Sequence, residues 1–216
     1  MNEFLLGAAS GIGQVITGHP LDTIKVRMQN NVSVTNMKVT HYYRGIMYPL
    51  ISSSIINSII FGVYHNSINT TKNSVASGFL SGLACSPVVY LFDVYKTKRQ
   101  MNIPVSPMTI MTSKGLVSTV MRESIAFSSY FTTYNYLKEN GHNSLVSGGI
   151  AGFLNWALTY PIDVIRNRQI ALSISAKEAY EMGHLWRGFN VCSIRAVIVN
   201  AVGFYIYEKG KELITR

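Results

Sequence analysis

The chain has 216 residues and a formal charge of +9, yet only 13% of its residues are charged and 48% are hydrophobic. Soluble domains carry roughly 25% charged residues, so the composition points away from a freely soluble globule. No Lys/Arg run exceeds two residues, which counts against a nucleic-acid-binding tail, and Cys85 and Cys192 show neither metal spacing nor a disulfide framework.

The opening, MNEFLLGAASGIG, lacks the basic start of a signal peptide and carries Glu3. It is expected to be mature structure, with no cleavable presequence. Residues 4–21, 45–71, 73–92 and 143–162 are free of Asp, Glu, Lys and Arg. A membrane-spanning helix needs roughly 20 largely apolar residues, and these four runs meet or approach that. Two further segments fit but are interrupted: 114–138 by Arg122 and Glu123, and 187–208 by Arg195. A soluble helical bundle is the competing reading, but a soluble helix through 45–71 would show a charged face.

Three stretches repeat at the ends of the odd helices: GHPLDTIKVRMQ (18–29), LFDVYKTKRQ (91–100) and YPIDVIRNRQ (160–169). Their acids, Asp22, Asp93 and Asp163, lie 71 and 70 residues apart. The repeat predicts an all-α membrane protein: six transmembrane helices in three pseudo-symmetric units of about 70 residues, roughly 1–72, 73–142 and 143–216, forming a single domain. Small-residue steps GAASG (7–11), GFLSG (78–82) and GGIAG (148–152) keep the same register. Each should let a neighbouring backbone approach closely.

Short polar segments (30–43, 101–113 and 171–186) join the helices of each pair and end near Arg44-Gly45, Lys114-Gly115 and Arg187-Gly188. Within the third, ISAKEAYEMG could form a surface helix. Twelve of the 19 Lys and Arg lie on the side joined by these segments. The positive-inside tendency puts that side in the negative compartment and both termini on the other.

Each acid has a base three residues on: Lys25 after Asp22, Lys96 after Asp93 and Arg166 after Asp163. That spacing places acid and base on one helix face, so three such faces can converge into a ring. Pro20 and Pro161 precede their acids by two residues and should kink their helices; in the second repeat Leu91 holds that place and Pro87 lies one turn earlier. Charges inside a spanning segment are expensive and mark function. Arg122, Glu123 and Arg195 are such charges. The two arginines each lie 13 residues before positions 135 and 208, hence at equal depth, and the same offset on the second helix gives Ser52.

Pro-x-Asp-x-x-Lys/Arg-x-Lys/Arg, tripled at about 70 residues, resembles the mitochondrial carrier family over essentially the whole chain. The resemblance implies six tilted helices around a central cavity exposed alternately to either side of the mitochondrial inner membrane, with short matrix helices between the pairs. It implies a matrix gate of Asp22–Lys96, Asp93–Arg166 and Asp163–Lys25, braced by Gln29 and Gln100. Ile170 departs from the brace pattern and Gln169 is one position off. The family's outer-gate motif is depleted here: Tyr64-His65 with Ile68, Tyr134-Asn135 with Lys138, and the complete Tyr207-Glu208 with Lys211. Its pairing leaves Glu208 facing Ile68, Asn135 facing Lys211 and His65 facing Lys138, so a weak outer gate and a cavity resting open to the outside are expected.

Ser52, Arg122 and Arg195 match the family's substrate contact points, and Glu123, a midspan charge beside Arg122, joins them as a substrate-binding candidate. Adjacent Arg and Glu suit a zwitterion, and an arginine can hold a carboxylate in bidentate fashion. The alternative for the first two is mutual neutralisation, or a structural network with Arg195. The wording YPLISSSIINSIIFGVY, VMRESIAFSSYFTTYNYLK and WRGFNVCSIRAVIVNAVGF is similar to the carnitine, ornithine and basic amino-acid branch. A basic amino acid or carnitine-like zwitterion is the expected cargo, with nucleotide or deoxynucleotide exchange as the alternative. The implied partners are this small molecule and the bilayer, including anionic lipid such as cardiolipin, with no nucleic-acid polymer and a monomeric carrier. His19, His41, His65, His142 and His184 form no ligand spacing, and no nucleophile elbow or Walker loop occurs, so no metal, cofactor or enzyme activity is expected. His19 reads as a local hydrogen-bonding residue.

Overall fold

The structure, a computed structural model, describes residues 2–35, 37–106 and 108–214, excluding the side chains of 2–8, 111, 145, 204, 207, 208, 211, 213 and 214. Secondary structure among the described residues is entirely helical. Six long helices, α1 (Asn2–Gln29), α3 (Met47–Thr71), α4 (Ser74–Gln100), α6 (Leu116–Glu139), α7 (Ser144–Leu172) and α9 (Phe189–Ile214), fall in the order the repeat predicts. A short helix sits in each intra-repeat segment: α2 (Val39–Tyr42), α5 (Met108–Thr112) and α8 (Ala176–Glu181).

The repeat is visible in the backbone at the helix ends. Asn31, Asn102 and Ser173 follow α1, α4 and α7 with φ of 59°, 61° and 57°. This left-handed turn stops a helix, and short polar side chains tolerate it better than most. Gly45, Gly115 and Gly188 stand before α3, α6 and α9 with φ of 84°, 115° and 87°. The basic–glycine steps are therefore turns that favour glycine. Pro20, Pro87 and Pro161 lie inside α1, α4 and α7, which continue through them.

Polarity is distributed as an apolar solvent requires. Ser77, Ser81, Thr119, Glu123, Asp163 and Arg168 are buried, while Ile51, Phe61, Phe79, Leu83, Phe153 and Leu158 are exposed. Val39–Thr71 and Ser74–Gln100 are by themselves long and apolar enough to cross a bilayer, and a shorter apolar run covers Phe189–Gly203.

The chain divides into two compact units. In the first (1–50, 95–105 and 187–216), α1 packs along α9 and α2 packs on α1. The Ser10 hydroxyl donates to the Gly203 carbonyl at 2.8 Å. A Cβ on Gly13 would run into Ile206, and one on Gly203 into Gln14. In the second unit (51–94 and 106–186), α6 packs along α7 and α8 packs on α7. Ile60, Cys85, Val89 and Phe131 form one apolar cluster there, and Tyr90, Val94 and Ile170 another.

The small-residue steps behave differently from one another. A Cβ on Gly78 would lie 2.5 Å from the Phe127 carbonyl oxygen, and one on Gly82 would lie 2.5 Å from the Glu123 carbonyl carbon. There α4 meets the backbone of α6, with both partners inside one unit. Gly11, Gly149 and Gly152 have open space at the same point, and Gly148 meets only the Tyr130 hydroxyl at 3.8 Å. The close approach expected at all three steps is thus seen at the second. On α1, glycines outside that register, Gly13 and Gly18, face α9 instead.

Candidate functional site

Among the described residues, each unit gathers charges around acids of the repeated motif. In the first, Asp22 of α1 takes two bases. Lys96 Nζ of α4 donates to Oδ2 at 2.9 Å, and Arg195 Nε of α9 lies 2.5 Å from Oδ1. Gly18 makes room for the second contact, because a Cβ there would fall 2.7 Å from Val199 and 3.3 Å from Arg195 Nε. Around the pair, Gln100 Nε2 donates to Thr23 Oγ1 at 3.2 Å and Arg27 Nη1 donates to the Gln100 carbonyl at 3.3 Å. The Thr23 hydroxyl also donates to the Tyr42 carbonyl at 2.8 Å. His19 is buried and its Nε2 donates to the Arg44 carbonyl at 2.9 Å, the local bonding role read from the sequence. Lys25 and Gln29 are buried on the same helix.

The second cluster holds three carboxylates and two guanidiniums. Arg166 Nη2 donates to Asp93 Oδ2 at 2.7 Å, Arg166 Nη1 donates to Glu123 Oε1 at 3.2 Å, and Arg166 Nη2 lies 3.7 Å from Asp163 Oδ1. Arg122 Nη1 donates to the same Glu123 oxygen at 2.6 Å, and its Nε is 3.9 Å from Asp163. The Arg122 guanidinium also sits over the Trp156 ring, 4.9 Å from its centre, a favourable cation–π placement. Glu123, Asp163 and Arg166 are buried. Buried ions without partners are costly, and each of the three carboxylates has a guanidinium within 3.7 Å. Arg168 Nη1 donates to the Ala179 carbonyl at 2.8 Å and so ties α8 to α7.

Two of the three pairs named from the sequence, Asp22–Lys96 and Asp93–Arg166, are therefore formed. Of the third, Asp163 belongs to the second unit and Lys25 to the first. Of the braces, Gln100 reaches Thr23. In the third repeat, Ile170 packs with Tyr90 and Val94, while Gln169 accepts from the Ser118 hydroxyl at 2.5 Å. Ser52 is buried on α3. Sequence reasoning missed that the midspan charges bond directly to the end-of-helix charges: Arg195 to Asp22, and Glu123 to Arg166. It also missed Trp156. No spacing in the chain signals these contacts; helix packing sets them.

At the other helix ends, the described ends of α3 and α6 meet neutral partners, while Lys209 pairs with Glu212 within α9 at 2.7 Å. Asn135 Nδ2 donates to the Tyr64 hydroxyl at 2.6 Å and to Ser74 Oγ at 2.8 Å. Tyr64 stacks on Phe131, and Tyr134 stacks on Tyr130. Lys138 Nζ donates to Ser144 Oγ at 3.2 Å. The side chains of Tyr207, Glu208 and Lys211 lie outside the described residues.

Long helices with exposed apolar side chains and buried charges fit a membrane carrier. The family described as "Mitochondrial carrier protein" matches residues 1–73 and 139–216, and the chain belongs to that family. The unmatched middle holds the motif in which Leu91 stands in the proline's place. The chain is similar to the mitochondrial basic amino acids transporter of Homo sapiens (30% identity, 96% of this chain and 82% of the relative). It is also similar to the mitochondrial arginine transporter BAC2 of Arabidopsis thaliana (27%, 95% and 89%). A third relative is mitochondrial substrate carrier family protein L of Dictyostelium discoideum (29%, 96% and 94%). The protein is thus a multi-pass, all-α transporter of the mitochondrial inner membrane with six transmembrane helices. It carries a small-molecule substrate and is not an enzyme.

Proposed function

We propose that this carrier moves a basic amino acid, or a carnitine-like zwitterion, by alternating access. The observation that carries the reading is the sharing of charged groups between midspan and gate positions. Asp22 is divided between Lys96 and Arg195, and Glu123 between Arg122 and Arg166. A cargo carboxylate competes with Asp22 for Arg195. A cargo cation competes with Arg166 for Glu123. Each exchange leaves a gate pair with one partner fewer, so recognition weakens the matrix gate. The two midspan arginines would also suit nucleotide exchange, the second reading. Ser52 completes the proposed contacts, and Lys25–Asp163 the proposed ring. The neutral contact of Asn135 with Tyr64, and a Lys138 bonded to a serine rather than an acid, support a weaker outer gate and a resting state open to the outside.

Purified protein in liposomes, offered labelled arginine, lysine, ornithine, carnitine and nucleotides separately, tests the reading. Uptake of a cationic or zwitterionic solute, lost in Arg195→Ala and Glu123→Gln, is the expected outcome. Uptake of nucleotides alone replaces it with nucleotide exchange.

A further inference from the structure

Outside the gate ring, two contacts of one kind recur. Arg44 Nη1 donates to Asn102 Oδ1, and Arg187 Nη1 donates to Asn31 Oδ1. All four residues lie in the first unit. The asparagines each stand nine residues after a gate acid, Asp22 or Asp93, in the left-handed turn that ends the odd helix. The arginines each stand immediately before the positive-φ glycine that starts an even helix, Gly45 or Gly188. Both contacts run in the same cyclic sense: the arginine of repeat one reaches repeat two, and that of repeat three reaches repeat one. The remaining step holds Lys114 and Ser173, a different donor and acceptor.

We propose that Arg44–Asn102 and Arg187–Asn31 are positioning contacts that latch the matrix rim while the gate is closed. The segment carrying Arg44 is fastened to α1, because His19 bonds the Arg44 carbonyl and Thr23 the Tyr42 carbonyl. Asn102 hangs from the end of α4, where the next residue, Ile103, returns its N–H to the Lys98 carbonyl at 2.9 Å. Parting α1 from the end of α4 must therefore break Arg44–Asn102 together with Asp22–Lys96 and Gln100–Thr23. Asparagine is neutral, so a charged cargo does not compete for it as it does for a carboxylate. The latch sets how often the matrix side opens without taking part in recognition.

The test is one-sided labelling. Val15→Cys, two turns inside Asp22 on α1, is built with Cys85→Ser and Cys192→Ser in full-length protein reconstituted in one orientation. A membrane-impermeant maleimide is applied from each side in turn. A net hydrogen bond is worth roughly a fivefold change in population. Asn102→Ala and Arg44→Ala are each expected to speed matrix-side labelling about fivefold, with no more in the double variant and no rise from the other side. Asn102→Asp, which keeps the acceptor oxygen, restores slow labelling. Unchanged labelling, additive effects in the double variant, or equal rises from both sides overturns the latch, the last because it signals general loosening. If an alanine variant does not insert, Asn102→Gly, which suits the left-handed turn but lacks the acceptor oxygen, is read instead: fast matrix-side labelling upholds the latch and wild-type rates overturn it.

Discussion

Glycine 82 shows how one missing side chain places a functional group. The backbone of Glu123 lies where its Cβ would be, and Ser124 Cα would sit 2.5 Å from that atom. Backbone cannot rotate aside as a side chain can. Gly82→Ala is therefore expected to push α4 and α6 apart at Glu123 and to cost about 1–3 kcal/mol. Thermal unfolding in detergent should show a midpoint lower by several degrees, while Gly152→Ala, with open space at the same point, stays near wild type. The sequence marks both glycines alike. Their difference is invisible in it because a GxxxG step reports only that a helix can be approached. At the residue scale the charges were more legible: register puts acid and base on one helix face, and the family resemblance names the pairs Asp22–Lys96 and Asp93–Arg166. The partners Arg195 and Glu123 were not, since Arg195 reaches Asp22 across 173 positions through packing at Gly13, Gly18 and Gly203.

Among the elements, α8 shows local encoding most fully. Ser175 Oγ accepts from the Glu178 N–H at 3.2 Å, and Glu178 Oε2 accepts from the Ser175 N–H at 2.7 Å. This capping box satisfies two helix-end donors reciprocally, and it can be read in the letters SAKE. The hydrogen bonds from Ser175 hold the Glu178 carboxyl below its ordinary value of 4.5. The sign follows: the cap's contribution is complete above that value and is lost as pH falls through the lower folded one. Ser175→Ala is expected to speed amide exchange at Glu178 and Ala179 about fivefold at neutral pH. Acidification of the wild type well below pH 4.5 should reproduce part of that loss once intrinsic exchange is corrected for. The short helices α2 and α5 were less legible. Val39–Tyr42 has no side-chain cap bond at its start, and α1 supports it by packing, which no local signal announces.

For the whole molecule, threefold repetition in the letters became threefold repetition in helix ends and turns, while the chemistry between repeats stayed unequal. Arg166 answers three carboxylates, whereas Lys96 answers Asp22. An exchange of charges at the second pair should therefore fail. Asp93→Arg and Arg166→Asp are each expected to lower uptake at least tenfold. The double variant should stay as low, because an aspartate at 166 faces Glu123 and Asp163. Recovery to near wild-type uptake would show that Arg166 serves Asp93 alone. The carrier class was legible because inherited repetition writes itself at fixed spacing. Cargo was less so, because charge balance is a property of clusters gathered from several helices.

The contact at Gly78 and Gly82 also constrains how this chain can change over generations. Every other amino acid carries a Cβ, so no single replacement at either site escapes the backbone of α6. Between them, Phe79 and Leu80 are exposed and can be exchanged among apolar residues at little cost. A survey of tolerated variants along α4 would thus alternate, within one helical turn, between positions with many viable neighbours in sequence space and positions with none.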